Sequence, residues 1–276
     1  VLSVIIVCGG LLLLVVRQSI DNFMEQLPHY QTRLQIILAG AVSILERFHI
    51  PFTKELVMQH VDPGTLMGWL GKGLSAMSSL LSNVLLVFFI VLFILLENTT
   101  LPQKLKVAIP NGMSALNGAG GFMARVNKYL FIKTTISIFT GFVVTIFLFL
   151  AGVDFPVLWG LMAMLMNFIP VIGSLIAAVP AVILALIQLG FAEALIIAAG
   201  YLLINIVIGN FIEPRYMGKG LGLSALVVFL SLLVWGWLFG PVGMFLSIPL
   251  TMIVKIALES YDETRWIAVM LGSDVS

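Results

Sequence analysis

The chain has 276 residues, 61% hydrophobic and 10% charged, with a formal net charge of +1 and a mean hydropathy of +1.14. Soluble domains are about 45–50% apolar and about 25% charged, so this chain cannot cover itself with polar surface and its natural solvent is lipid. With no basic tract in the sequence, a nucleic-acid partner is excluded. The single cysteine, Cys8, excludes an intrachain disulfide and a multi-cysteine metal site.

Residues 1–16 are a nearly unbroken apolar run with neither a basic leading segment nor a small-residue cleavage site, so they do not read as a signal peptide. As helix they rise only about 24 Å, short of the roughly 30 Å hydrocarbon core. They are expected to be the end of a membrane helix that begins upstream. Residues 17–74 are more polar. Leu34, Ile37, Leu38, Leu45 and Phe48 approximate a helical stripe, punctuated at Pro28, Pro51 and Asp62-Pro63-Gly64. Five bases (Arg17, Arg33, Arg47, Lys54, Lys72) balance five acids (Asp21, Glu25, Glu46, Glu55, Asp62). His29, His49 and His60 fit no metal template and read as solvated residues, so no metal or cofactor is expected.

Residues 75–97 read as a membrane span closed by Glu97. Residues 98–128 read as an interfacial loop with Pro102, Pro110, Asn111-Gly112 and a glycine run from Gly118 to Gly121. That loop carries Lys104, Lys106, Arg125 and Lys128 and no acid, which places it in the cytoplasm and residues 17–74 outside. Residues 129–151 form the next span, and Asp154-Phe155-Pro156 a tight turn. The apolar stretch 157–188 is broken at Asn167-Phe168-Ile169-Pro170. A further span, 191–209, leads to a polar loop, 210–220. The apolar stretch 221–258 is broken at Gly240-Pro241-Val242-Gly243, with Trp235 and Trp237 as interface anchors before it. Residues 259–276 form a cytoplasmic tail.

The fold class is therefore all-α: a polytopic membrane protein with broken, re-entrant helices. Residues 129–188 and 189–258 are expected to be inverted repeats, each a span followed by a helical hairpin. Both long stretches, of about 32 and 38 residues, exceed the roughly 20 that one crossing needs. Each breaks at a proline followed by glycine, and each holds a second proline, Pro180 and Pro249. Two full crossings are the rival reading. A re-entrant first hairpin puts Arg215, Lys219 and the tail inside, as the charge rule prefers.

The breaks supply the site candidates. A proline at membrane depth frees a backbone carbonyl that lipid cannot satisfy, and such breaks persist where protein or a water-filled cavity surrounds them. Asn167, Pro170, Gly173 and Ser174 at the first break, and Pro241 and Gly243 at the second, are the substrate-binding candidates. The simpler alternative is a proline kink with Asn167 joining two helices. Asn205, Asn210, Glu213, Pro214 and Arg215 form a second group, for binding or gating. Its simpler alternative is an interfacial Glu–Arg pair where Pro214 ends a helix. Glu97, Glu193 and Glu213 all lie near span ends, which leaves no acid deep in the membrane to carry a proton. Asp154 reads as a headgroup-level cap. Gly160, Gly173, Gly200 and Gly209 read as sites of close helix packing. The glycines of 218–222 come after a membrane helix and read as a hinge rather than a phosphate loop. No Gly-x-Ser-x-Gly, His-Glu-x-x-His or Walker motif is present, so no enzyme is expected.

The runs Asn167–Ser174, Gly209-Asn210-Phe211-Ile212-Glu213-Pro214-Arg215, Met217-Gly218-Lys219-Gly220-Leu221-Gly222-Leu223-Ser224 and Gly240-Pro241-Val242-Gly243-Met244 to Pro249 resemble the AI-2E family, bacterial autoinducer-2 exporter-type permeases. The resemblance implies about eight spans, roughly two of them upstream of this chain. It also implies export of a small polar metabolite, autoinducer-2, in a bacterial inner membrane, with a cyclic homo-oligomer, a pentamer, as the assembly. Other family members are described as sodium(lithium)/proton antiporters, and that alternative stays open. A non-transporting membrane scaffold is the reading from another class, and the two breaks argue against it.

Overall fold

The computed structural model describes residues 2–47, 64–65, 68–76, 79, 83, 113–170, 173–217, 223–259 and 263–272. Among them no strand occurs. The helices are α1 (Leu2–Arg47), α2 (Met113–Leu150), α3 (Pro156–Met166), α4 (Gly173–Gln188), α5 (Phe191–Val207), α6 (Glu213–Met217), α7 (Ala225–Phe245), α8 (Ser247–Glu259) and α9 (Arg265–Met270), with a π-helical turn at Ile208–Ile212 between α5 and α6. Long apolar helical runs cover Lys128–Leu150 and Phe191–Tyr216, enough to cross a membrane, and α3 and α4 are shorter apolar helices. This is an all-α polytopic membrane protein. Its described residues fall into two units. One holds Val1–Leu81, Thr140–Met166 and Ser174–Asn205, the other Ser82–Phe139, Asn167–Gly173 and Ile206–Ser276.

In the first unit α1 continues as one helix through Pro28; Pro51 and Asp62-Pro63 lie outside the described residues. Its 46 residues rise about 69 Å, more than twice the hydrocarbon thickness. The buried stripe is Val16, Ile20, Phe23, Tyr30 and Leu34; of the expected residues Leu34 belongs to it, Ile37 is exposed, Leu38 is half-buried, and the side chains of Leu45 and Phe48 lie outside those described. Aromatic residues decide the face: Phe23 meets Phe155 and Trp159 edge-on, both at 5.7 Å between centroids. Within residues 68–76, Leu74 is buried and Gly71 lies against Met24. The rest of the expected 75–97 span, His49, His60, Glu97 and the 218–222 hinge lie outside the described residues.

The 156–188 stretch folds back on itself. The Asp154 amide donates to Gln188 Oε1 at 2.9 Å, and Gln188 Nε2 donates to the Gly152 carbonyl at 3.2 Å. A single straight crossing would hold these two ends roughly 30 Å apart. Here they are hydrogen-bonded, so α3 and α4 are the arms of a hairpin whose turn includes Asn167–Pro170. The helices α2 and α3 cross at two glycines: Gly141 and Gly160 face each other so closely that a Cβ on either meets the other's carbonyl oxygen.

In the second unit α7 contains a chain reversal. Gly240 has φ 63° and ψ −149°, outside helical geometry, a conformation glycine adopts without a Cβ penalty. Pro241 comes next. A Cβ on Gly243 would collide with the Trp235 carbonyl, and one on Gly236 would meet the Met244 side chain. Residues before and after the turn therefore lie side by side, and Trp235 Nε1 donates to Thr251 Oγ1 at 2.9 Å across the arms. Length and composition alone would make Leu226–Phe245 a crossing; the reversal at Gly240 inside it makes residues 225–239 one arm of a second hairpin. Ser224 starts that arm, its Oγ accepting from the Val227 amide at 3.2 Å.

Two further expectations are corrected. The loop 98–128 is helical from Met113 onward, its second half being the first turns of α2. The polar loop 210–220 is helical to Met217, because the π turn absorbs the proline instead of ending the helix.

Candidate functional site

Three polar residues recur at four-residue spacing on α2: Tyr129, Lys133 and Ser137. On a helix that spacing makes one face, and all three are buried. Each contributes to a contact within the second unit. Tyr129 packs on Leu223, Ile248 and Met252 at the base of the second hairpin and lies within electrostatic reach of Glu213. Lys133 Nζ donates to Glu213 Oε1 at 2.6 Å, the two side chains being 5% and 19% exposed. Ser137 Oγ accepts from Asn167 Nδ2 at 3.0 Å.

The local sequence explains how Glu213 reaches Lys133. Pro214 has no N–H to donate to the carbonyl four residues back. The helix answers with a π turn, the Glu213 amide donating to the Ile208 carbonyl. One residue is inserted, which rotates the next helical turn by about 100° relative to an unbroken helix. Glu213 is thereby turned toward α2, while Pro214 and Arg215 are exposed. The structure thus does not form the Glu213–Arg215 pair weighed as the simpler reading: two residues apart, they occupy different faces.

The other candidates divide. Asn167 is in the turn of the first hairpin, and the next residue, Phe168, stacks on Phe245 in the helical segment that follows the second hairpin's turn, 4.2 Å between centroids and 20° between planes. Pro170 is half-buried in the same turn, and the buried Gly173 donates its amide to the Ile169 carbonyl at 3.2 Å. Pro241 is exposed at the second turn. Gly243 has no room for a side chain; its role is the chain reversal. Ser174 and Asn205, both half-buried, belong to the first unit. Asn210 is exposed on the π turn. Trp235 holds the hairpin arms together, and Trp237 is 85% exposed. Gly160 and Gly200 are close-packing positions, Gly200 against the Phe147 ring, but Gly209 faces open space.

Sequence reading missed Lys133 and Ser137. The signal was present: a lysine inside an apolar span marks function by default, and it shares a face with a tyrosine and a serine. It also missed the first unit's polar clasp. Tyr30 donates its hydroxyl to Asp154 Oδ2 at 2.7 Å, and Arg33 donates to the Gln188 carbonyl at 3.3 Å. Burial, then the hydrogen bond and charge of Asp154, push the Tyr30 hydroxyl well above the usual phenol range, with Arg33 opposing. Asp154 is thus a hydrogen-bond partner of α1. Among the described residues, no cluster of His, Cys, Asp and Glu fit to hold a metal occurs.

Helices broken at hairpin turns, with a buried ion pair on the span beside them, define a multi-pass α-helical membrane transporter. Residues 1–263 match the model of the AI-2E family of transporters, and the chain belongs to that family. It is 43% identical to the AI-2 transport protein TqsA of Escherichia coli over 98% of this chain and 79% of that one. It is 40% identical to a transport protein of Haemophilus influenzae over 93% of this chain and 76% of that one. With YhhT of E. coli the identity is 36%, over 94% and 74%. Members of this family are transport proteins, not enzymes.

Proposed function

We propose that this chain is a secondary transporter exporting a small polar metabolite across a bacterial inner membrane, with autoinducer-2 as the substrate by likeness to the relative named for AI-2 transport. The observation that carries the reading is the Phe168–Phe245 stack, which holds the first hairpin's turn against the second hairpin just past its reversal at Gly240. Broken helices in transporters point their ends at substrate. The substrate then sits between Asn167–Ser174 and Trp235–Gly243. Both hairpins are re-entrant in this reading, residues 17–74 are extracytoplasmic and the tail is cytoplasmic. The protein works as a cyclic homo-oligomer, a pentamer, with rigid-body movement of the hairpins giving alternating access.

The test is efflux of labelled autoinducer-2 from proteoliposomes of the purified protein, with and without imposed proton and sodium gradients. Saturable, protein-dependent efflux supports the reading; efflux no faster than from empty liposomes refutes it. The sodium(lithium)/proton antiport alternative predicts instead that sodium moves against a proton gradient when no metabolite is present.

A further inference from the structure

We propose that the Glu213 carboxylate is the coupling site of this transporter, a single group for which a proton and a hydroxylated substrate compete, with Lys133 as its fixed counter-charge. The inference deepens the export reading and rests on it for the identity of the substrate only.

Position near a span end argues against Glu213 as a proton carrier, but its pairing with Lys133 encloses it within the protein, and an ion pair this enclosed is expensive to keep for stability alone, because two charges must be desolvated to form it. The chain nevertheless builds a π turn that aims Glu213 at Lys133. Lys133 occupies Oε1; among the described residues, Oε2 of Glu213 accepts no hydrogen bond, which leaves an acceptor open to substrate hydroxyls. One turn along the same α2 face, Ser137 holds Asn167 in the first hairpin's turn at 3.0 Å. The coupling group and the hairpin turn are thus registered on one helix. The charged and titratable groups around Glu213 are Lys133 and Tyr129 on α2. On its own helix Arg215 and Tyr216 are exposed. On α8, which packs on Tyr129, Lys255 is paired with Glu259 at 3.7 Å.

The step balances simply. A proton from the outer water forms an O–H bond on Glu213 and releases the salt bridge, Lys133 keeping its own proton. On the inner side that O–H bond breaks, the proton enters the cytoplasm, and the carboxylate accepts substrate hydroxyls. Because one carboxylate serves both, proton and substrate cannot be carried together, so the coupling is exchange. The substrate-loaded site is neutral as a whole, while the protonated site carries the charge of Lys133. Exchange against an uncharged substrate therefore moves one positive charge inward, and an inside-negative potential drives export.

Two measurements test this. In proteoliposomes loaded with labelled autoinducer-2, outside acidification should accelerate efflux by up to about tenfold per pH unit, and an inside-negative potassium diffusion potential should accelerate it further. Glu213→Gln, and the Glu213→Gln/Lys133→Met double variant that leaves no orphan charge, should lose both responses. Wild-type efflux indifferent to pH and potential, or a pH response surviving in both variants, overturns the proposal. The second measurement needs no substrate: infrared difference spectra of reconstituted protein between acidified and neutral media should show a protonated-carboxyl band absent from Glu213→Gln. If the band appears but autoinducer-2 does not move, the substrate reading fails and the proton site stands. If autoinducer-2 moves and the band is missing, the coupling site fails.

Discussion

Gly160→Ala tests the closeness of the α2–α3 crossing. A Cβ at Gly160 would lie 2.6 Å from the Gly141 carbonyl oxygen and 3.0 Å from Thr145 Cβ, and would collide with Thr145 Oγ1. Ordinary contacts between carbons lie at about 3.5–4.0 Å, so the helices must part by the better part of an ångström. Thr145 cannot simply swing aside, because its hydroxyl donates to the Gly141 carbonyl at 2.8 Å. Overpacking costs about 1–3 kcal/mol, and losing that hydrogen bond adds about 0.5–1.5 kcal/mol. Alanine's helix propensity returns about 0.8–1.0 kcal/mol, leaving a net loss of about 0.5–3.5 kcal/mol. The control is Gly209→Ala, where a Cβ meets nothing within 4 Å and no overpacking penalty arises. Thermal unfolding in lipid nanodiscs reads the difference, at about 2–4 °C per kcal/mol for a chain of this size. A Gly160→Ala protein melting at or above wild type, or a Gly209→Ala protein falling as far, would refute the packing argument.

Tyr30→Phe should lower stability by about 1.5–3 kcal/mol, the range for a hydrogen bond to a charged group. Because the folded hydroxyl titrates above its unfolded value, its contribution is complete below about pH 10 and lost at higher pH. The difference in melting temperature between wild type and Tyr30→Phe should therefore shrink above that pH; a constant difference would show that Tyr30 ionises normally. Ser137→Ala removes the acceptor of Asn167 and should cost about 1–3 kcal/mol. It should also slow efflux of labelled autoinducer-2 while leaving membrane insertion intact, and unchanged efflux would detach the hairpin turn from transport. Reporter fusions within residues 98–112 should be active in the cytoplasm and those within residues 17–47 outside it; a periplasm-active reporter at 98–112 reverses the topology.

Much of this protein is legible in its sequence. Composition requires a membrane solvent, and the lengths of the two broken stretches, with proline and glycine at each break, point to hairpins. Those features are local: chain length against bilayer thickness, a missing N–H, a missing Cβ. What the sequence could not state is which partner each polar side chain finds. Glu213 has Arg215 two residues away, yet it pairs with Lys133, 80 positions earlier. The π turn that rotates it depends on a helix continuing past Pro214, and a string of residues suggests instead that the helix stops there. Pro28 gives the same lesson in α1, where packing of Phe23 and Tyr30 on the first hairpin outweighs one lost hydrogen bond. Asp154 reads as a helix cap until Tyr30, 124 positions away, is brought to it. Spacing along one helix is written in the sequence, whereas pairing between helices is set by the tertiary fold, because a buried charge or hydroxyl takes the partner that packing delivers.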